Sequence, residues 1–163
     1  MPNVIKGLFT VHDTLSEYLD SIAEIPQDVQ KDMLTAEAKV MVDAQKELAR
    51  QMLTADGGFG ASGKWTDVRD GVIGSIQQGR IKKSNRGSDV LRTDVIFKGS
   101  QHDERLAAIA FMNEYGVVHP PTKRYPRAYR QPARPFVSRS VVLFSKKAVD
   151  AAAEILRKFL KIQ

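Results

Sequence analysis

Two stretches of this chain step their apolar residues by threes and fours, and each is too long to be anything but a helix seeking cover. In residues 27–53 the series is Val29, Met33, Ala36, Val40, Ala44, Leu48 and Met52, with Asp28, Lys31, Asp32, Lys39, Asp43, Lys46 and Arg50 on the other face. In the last part of the chain it is Val137, Val141, Phe144, Ala148, Ala151, Ile155, Phe159 and Ile162. That spacing places one apolar stripe along a helix, and a stripe of this length must be buried against another element. The heptads are too few and irregular for a coiled coil. Pro26 and Pro135 suit the first turns of the two helices, because a proline there gives up no needed N–H.

The remaining segments are shorter. Thr14 and Glu17 have capping-box spacing, and Leu15, Leu19, Ile22 and Ile25 follow on one face, so a helix is expected over about 14–25. The Gly-rich residues 54–63 read as a break; no GK[ST] follows and no apolar strand precedes, which dismisses a phosphate loop. Residues 65–70 continue that connection. Residues 72–76 and 90–98 read as strands, the second with Leu91, Thr93, Val95 and Phe97 on one side and Arg92, Asp94, Ile96 and Lys98 on the other. The connection between them carries Arg80, Lys82, Lys83 and Arg86. Leu106, Ile109, Ala110 and Met112 or Asn113 predict a short helix over 105–115, which Gly116 can end by taking a left-handed backbone. The expected fold is α+β: a small antiparallel sheet packed by two long amphipathic helices plus a short one. With 163 residues, the expectation is one domain spanning 1–163.

Residues 113–137, NEYGVVHPPTKRYPRAYRQPARPFV, show neither period. They hold five of the seven prolines and, from Lys123 to Arg134, five cations and no acid. A proline-rich, basic loop is expected over 117–134, and a loop of that length is a candidate for function. Charge is distributed to match. Residues 1–56 carry ten acids and five bases, and residues 57–163 nine acids and twenty bases, so −5 and +11 sum to the net +6. Such a chain can meet a polyanion with its basic part, or a copy of itself head to tail.

Several chemistries are poorly supported. With no cysteine there is no disulfide, thiolate metal site or cysteine nucleophile. His12, His102 and His119 all fall in expected turns or loops, and no HExxH or nucleophile elbow occurs. The run His102-Asp103-Glu104 and the pair Asp67 and Asp70 read as solvated turns or helix starts rather than as a metal or acid–base site. An enzyme is therefore not expected, nor a cofactor or metal. Residues 1–10 lack a cationic start leading into an apolar core, and no run is long enough to span a bilayer, so neither signal peptide nor membrane partner is expected.

The basic loop is the main functional candidate. Lys123, Arg124, Arg127 and Arg130, interleaved with Tyr125 and Tyr129, have the composition of a nucleic-acid contact, with cations for phosphates and aromatics for stacking. The alternative is a solvated arm, or an arm lying across a neighbouring subunit. The absence of helix-turn-helix, finger or RNA-recognition signatures argues against base-specific reading.

The ends of the same stretch carry a resemblance. Asn113-Glu114-Tyr115-Gly116, then Gln131-Pro132-Ala133-Arg134-Pro135-Phe136-Val137 opening an alanine-rich helix, resemble the tail-completion, or head–tail joining, proteins of long-tailed bacteriophages. In that family a long helix leads through a Gly-containing stretch to a small strand, here matched by residues 71–76. An E-[YF]-G element follows, then a variable loop, then a PF element opening the last helix. The chain departs from the pattern at Val117, where a threonine usually follows the glycine, and in the long basic insertion 118–130. The resemblance implies a structural virion protein of the neck or tail end, made in the host cytoplasm. It would form a homo-oligomeric ring, six-fold by family analogy, with the head connector or stopper and the tail tube or terminator as neighbours and duplex DNA in the channel. The alternative is a non-sequence-specific nucleic-acid-binding protein. The motif residues also suggest a structural clasp or a subunit interface: Tyr115 and Phe136 as apolar anchors, Gly116 as the turn, Pro135 as the helix opener, and a Glu114–Arg134 ion pair joining the loop's ends within one subunit or across two, since a cation at a helix N-terminus needs compensation.

Overall fold

The structure, a computed structural model, describes residues 25–53, 63–83, 91–101, 104–123 and 126–160. The helix expected over 14–25 and most of the glycine-rich break lie outside them. The fold is α+β, with two long helices, two short ones and small antiparallel ribbons.

Helix α1 runs Gln27–Met52. Ile25, buried just before it, turns the chain in, and its carbonyl accepts from the Gln30 side chain at 2.8 Å. The helix closes where the Leu53 N–H donates to the Ala49 carbonyl at 2.8 Å and Leu53 itself is fully buried. Its covered surface is wider than one stripe. Besides Ala44 and Leu48, it buries Ala38, Gln45 and Ala49, one position around. The reason is that α1 packs on more than the last helix: the next helix and the ribbon that follows it also touch it.

Helix α2, Gly63–Ser75, corrects the sequence reading of both 65–70 and 72–76. Its end is buried through Val72 and Ile73, and the Ser75 hydroxyl donates back to the Val72 carbonyl at 2.7 Å. An apolar run of this length does not by itself distinguish a strand from the buried end of a helix. The run expected as a strand is thus a last helical turn, and the strand begins only at Ile76.

Strand β1 (Ile76–Gln78) pairs antiparallel with β4 (Val95–Phe97), and β2 (Lys82–Lys83) with β3 (Leu91–Arg92). Between the two ladders, residues 79–81 face only 93–94, so one extra residue bulges the ribbon. The break is held by the Gly79 N–H donating to the Asp94 carbonyl at 2.7 Å and the Thr93 hydroxyl to the Gly79 carbonyl at 3.1 Å. The alternation expected across 91–98 survives: Leu91, Thr93, Val95 and Phe97 are half-buried, and Arg92, Asp94, Ile96 and Lys98 exposed. Strands β5 (Ser100–Gln101) and β6 (Glu104–Arg105) make a second small ribbon leading into helix α3, Leu106–Tyr115.

The stretch without a period is not one loop. Val117–His119 (β7) and Tyr129–Gln131 (β8) pair antiparallel, Val117 opposite Gln131 and His119 opposite Tyr129. Helix α4, Phe136–Leu160, then lies along α1. The last turns of α1 (Leu48, Ala49) share one apolar cluster with the first turns of α4 (Phe136, Val137, Phe144), so the two helices run antiparallel. Small residues at the contact, including Ala38, Ala49, Ser140, Ala148 and Ala152, let the backbones approach closely. The stripe of α4 is rotated from the expected one. Phe136, Ser140, Ala148 and Ala152 are its buried residues, whereas Val141 is half exposed and Phe159 is exposed. The rest of the core is Leu53, Val72, Ile73, Ile76, Leu106, Ile109 and Ala110, with the Phe97 ring edge-on to Phe136 at 6.1 Å.

Candidate functional site: a clasp beneath a basic hairpin

The NEYG and ARPFV ends meet at the point where α3 ends and α4 begins. Gly116 makes the turn with φ of +74°, in the left-handed region that favours glycine. Space forbids a side chain as well, since a Cβ there would lie 2.7 Å from the Gln131 carbonyl oxygen and 3.0 Å from the Ala133 nitrogen.

Glu114 is buried, and its carboxylate serves the N-terminus of α4. One oxygen accepts the Val137 N–H at 2.8 Å; the other accepts the Ser138 N–H at 2.8 Å and the Ser138 hydroxyl at 2.5 Å. The first N–H groups of a helix have no partner inside it, and the helix end carries partial positive charge. A carboxylate from another helix therefore does the work usually given to a capping residue beside the helix. Pro135 needs no such partner, having no N–H, and Phe136 drops into the core at 0% exposure.

Two sets of bonds, one around Glu114 and one around Asn113, organise the junction. Arg134 is also buried, and its guanidinium donates to the Asn113 side-chain oxygen at 3.4 Å. The same oxygen accepts from the Gln131 amide at 3.1 Å. Asn113 donates its own amide to the Ile109 carbonyl at 2.9 Å, and its backbone carbonyl accepts the Arg134 N–H at 2.6 Å. Asn113, Gln131 and Ser138 are thus functional parts of the clasp that the residue types alone did not single out. The one available signal was Asn113 falling three and four residues after Ala110 and Ile109, in register with the buried side of α3. Tyr115 does not anchor the core of this chain: it is 65% exposed and lies against the Phe111 ring at 4.7 Å on the outer face of α3.

From this root the hairpin projects outward. His119 stacks on Tyr129 with ring centres 5.9 Å apart, and its ring nitrogen lies 3.4 Å from the Gln131 side-chain oxygen. Lys123, Arg127, Tyr129 and Arg130 are exposed. Arg124 and Tyr125 lie outside the described residues. The clasp therefore fixes where the hairpin starts and returns, while the cations sit beyond it in solvent.

Of the other candidates, His102 and Asp103 and the side chains of Asp67 and Glu104 lie outside the described residues. Among the described residues no three His, Asp or Glu side chains are placed to hold a metal ion. Asp70 pairs with its neighbour Arg69 at 3.0 Å. Among them, too, no helix is long and apolar enough to cross a membrane. Set against family models, curated proteins and solved structures, the chain matches none.

Proposed function

We propose that this chain is a structural protein of a bacteriophage neck or tail end. Copies of it would form a ring that joins the DNA-filled head to the tail and aligns the DNA channel. The observation that carries the reading is the clasp. Glu114, Gly116, Arg134 and Phe136, four residues of the two motifs behind the resemblance, are drawn into one buried junction by contacts with clear physical reasons. The hairpin then either lines the channel or reaches a neighbouring ring. Exposed cations suit a wall that holds duplex DNA through its phosphates yet lets it pass.

A second reading, non-sequence-specific nucleic-acid binding by a free protein, is favoured by the exposed cations Lys123, Arg127 and Arg130 of the hairpin. Light scattering and negative-stain microscopy of the purified chain, with DNA binding at two salt concentrations, separate the two. Rings, alone or with tail tubes, and indifference to free DNA support the neck reading. A monomer that binds duplex DNA tightly, losing affinity with a log–log slope near −0.9 per phosphate contacted, overturns it in favour of the second.

A further inference from the structure

The cations of residues 80–98 have no part in the clasp or its hairpin, and the fold gathers them on the β1–β4 ribbon. Leu91, Thr93, Val95 and Phe97 form the half-buried side of that ribbon, and α1 packs on β1, β3 and β4. Residues directly opposite in an antiparallel ladder share a face, and neighbours along a strand alternate. Arg92, Lys82 opposite it, Asp94, Ile96 and Lys98 are therefore on the outer face, and all are exposed. Arg80, in the bulge, is exposed too. Across 76–83 and 91–98 five cations stand against one acid, Asp94, which Lys82 reaches at 3.7 Å. Among the described residues Arg80, Arg92 and Lys98 make no ion pair. The β2–β3 ladder has only two residue pairs, and one sets Lys82 directly opposite Arg92. Like charges so placed weaken a sheet. An anion between them removes the repulsion. Side chains that leave the sheet about 5 Å apart can both reach one phosphate, the arginine through its planar fork.

We propose that this outer face is a second contact for the phosphate backbone of duplex DNA, separate from the 117–131 hairpin. From Arg92 to Lys98 the strand covers about 20 Å. A duplex presents charge continuously over such a length, one negative charge per about 1.7 Å of its axis. A single small anion between Lys82 and Arg92 would leave Lys98, at the far end of the strand, without a partner. An anionic bilayer selects cationic faces that also carry large apolar side chains to enter the interface. This face offers Ile96 alone, 38% exposed. Because its inner side is packed on α1, the ribbon can lie along a backbone but cannot enter the major groove as a free two-stranded ribbon does. The contact therefore reads no sequence. One copy supplies only about three or four phosphate contacts, so its binding is weak at physiological salt and grows strong when copies are arrayed along one duplex. The inference rests on the neck reading only for the choice of DNA as the polyanion.

The test is fluorescence anisotropy of the purified full chain on a labelled duplex of mixed sequence, from about 20 to 200 mM salt. One variant combines Arg80→Gln, Arg92→Gln and Lys98→Gln; Lys82 is spared for its contact with Asp94. All three positions are exposed, and circular dichroism checks the fold. The expected result is a loss of affinity of at least about tenfold at the lowest salt, with a log–log slope shallower by about two to three, near 0.9 per contact removed. A control combining Lys146→Gln, Lys147→Gln and Lys158→Gln removes the same charge from exposed positions of α4 and should keep the original slope. Equal losses in both variants would overturn the proposal, since net charge and not this face would be acting. An unchanged ribbon variant beside a Lys123, Arg127 and Arg130 to Glu variant that loses binding would overturn it too, leaving the hairpin as the sole contact. Tighter binding to phosphatidylserine vesicles or to polyglutamate than to the duplex would overturn it in favour of a membrane or an acidic protein. No binding by the unaltered chain at the lowest salt would overturn it outright and leave the neck reading standing. Tight binding at physiological salt that the ribbon variant abolishes would support this contact and overturn the neck reading, so the two fail separately.

Discussion

Removing the Glu114 carboxylate is the sharpest perturbation the clasp allows. In Glu114→Ala the Val137 and Ser138 N–H groups lose their acceptor while Phe136 keeps the helix start against the core. A buried donor left without a partner costs about 1–3 kcal/mol; these two are only part-buried, so the expected loss is roughly 1–4 kcal/mol. Glu114→Gln retains a neutral acceptor and gives up the charge facing the helix end, a loss of about 1–2 kcal/mol. Ser138→Ala removes only the hydroxyl contact and should cost about 1 kcal/mol or less. Urea titration followed by far-UV circular dichroism gives all three values. The order Ala worse than Gln worse than Ser138→Ala is the signature of a carboxylate capping a distant helix. If Glu114→Ala lost less than about 1 kcal/mol, water or a nearby group would be serving those N–H groups equally well, and the clasp would not be held as described.

Other substitutions probe the parts separately. Phe136→Ala should cost about 3–5 kcal/mol in the same titration, as expected for a fully buried ring. Gly116→Ala combines a left-handed backbone with a clash on the Gln131 carbonyl, and a loss of at least about 1–3 kcal/mol is expected. Asn113→Leu leaves the Gln131 amide and the Arg134 guanidinium without their shared acceptor. It should destabilise by about 2–4 kcal/mol despite adding apolar surface. Replacing Lys123, Arg127 and Arg130 together by Glu should change stability by no more than about 0.5 kcal/mol per site, since all three are exposed. The same variant should fail in DNA contact or particle assembly, read by filter binding and by complementation.

The long helices were legible because their stripes repeat for many turns, and only the rotation of α4 was misjudged. Val141 and Phe159 satisfy the spacing but belong to the margin of the buried arc, while Ser140 is buried at the close approach to α1. A polar residue at a small-residue contact gives no apolar signal to read. Residues 72–76 read as a strand because two glycines and adjacent β-branched residues mask a helix end only one turn long on its buried side. The hairpin of β7 and β8 was invisible for a different reason. Three paired residues per strand set no alternation, and the hairpin is tied at its base by Asn113 of α3, whose side-chain oxygen accepts from the Gln131 amide of β8. The site was therefore half legible. The residues that close the loop stood out by type, but the acceptor for each donor depended on which helix end lay near which carboxylate.

Electron microscopy of particles assembled without this chain tests the central claim most directly. The neck reading predicts DNA-filled heads beside separate tails, with normal particles restored when the chain is supplied in trans. Overlong tail tubes would move its place to the end of the tail. Particles of normal form and infectivity would contradict the account.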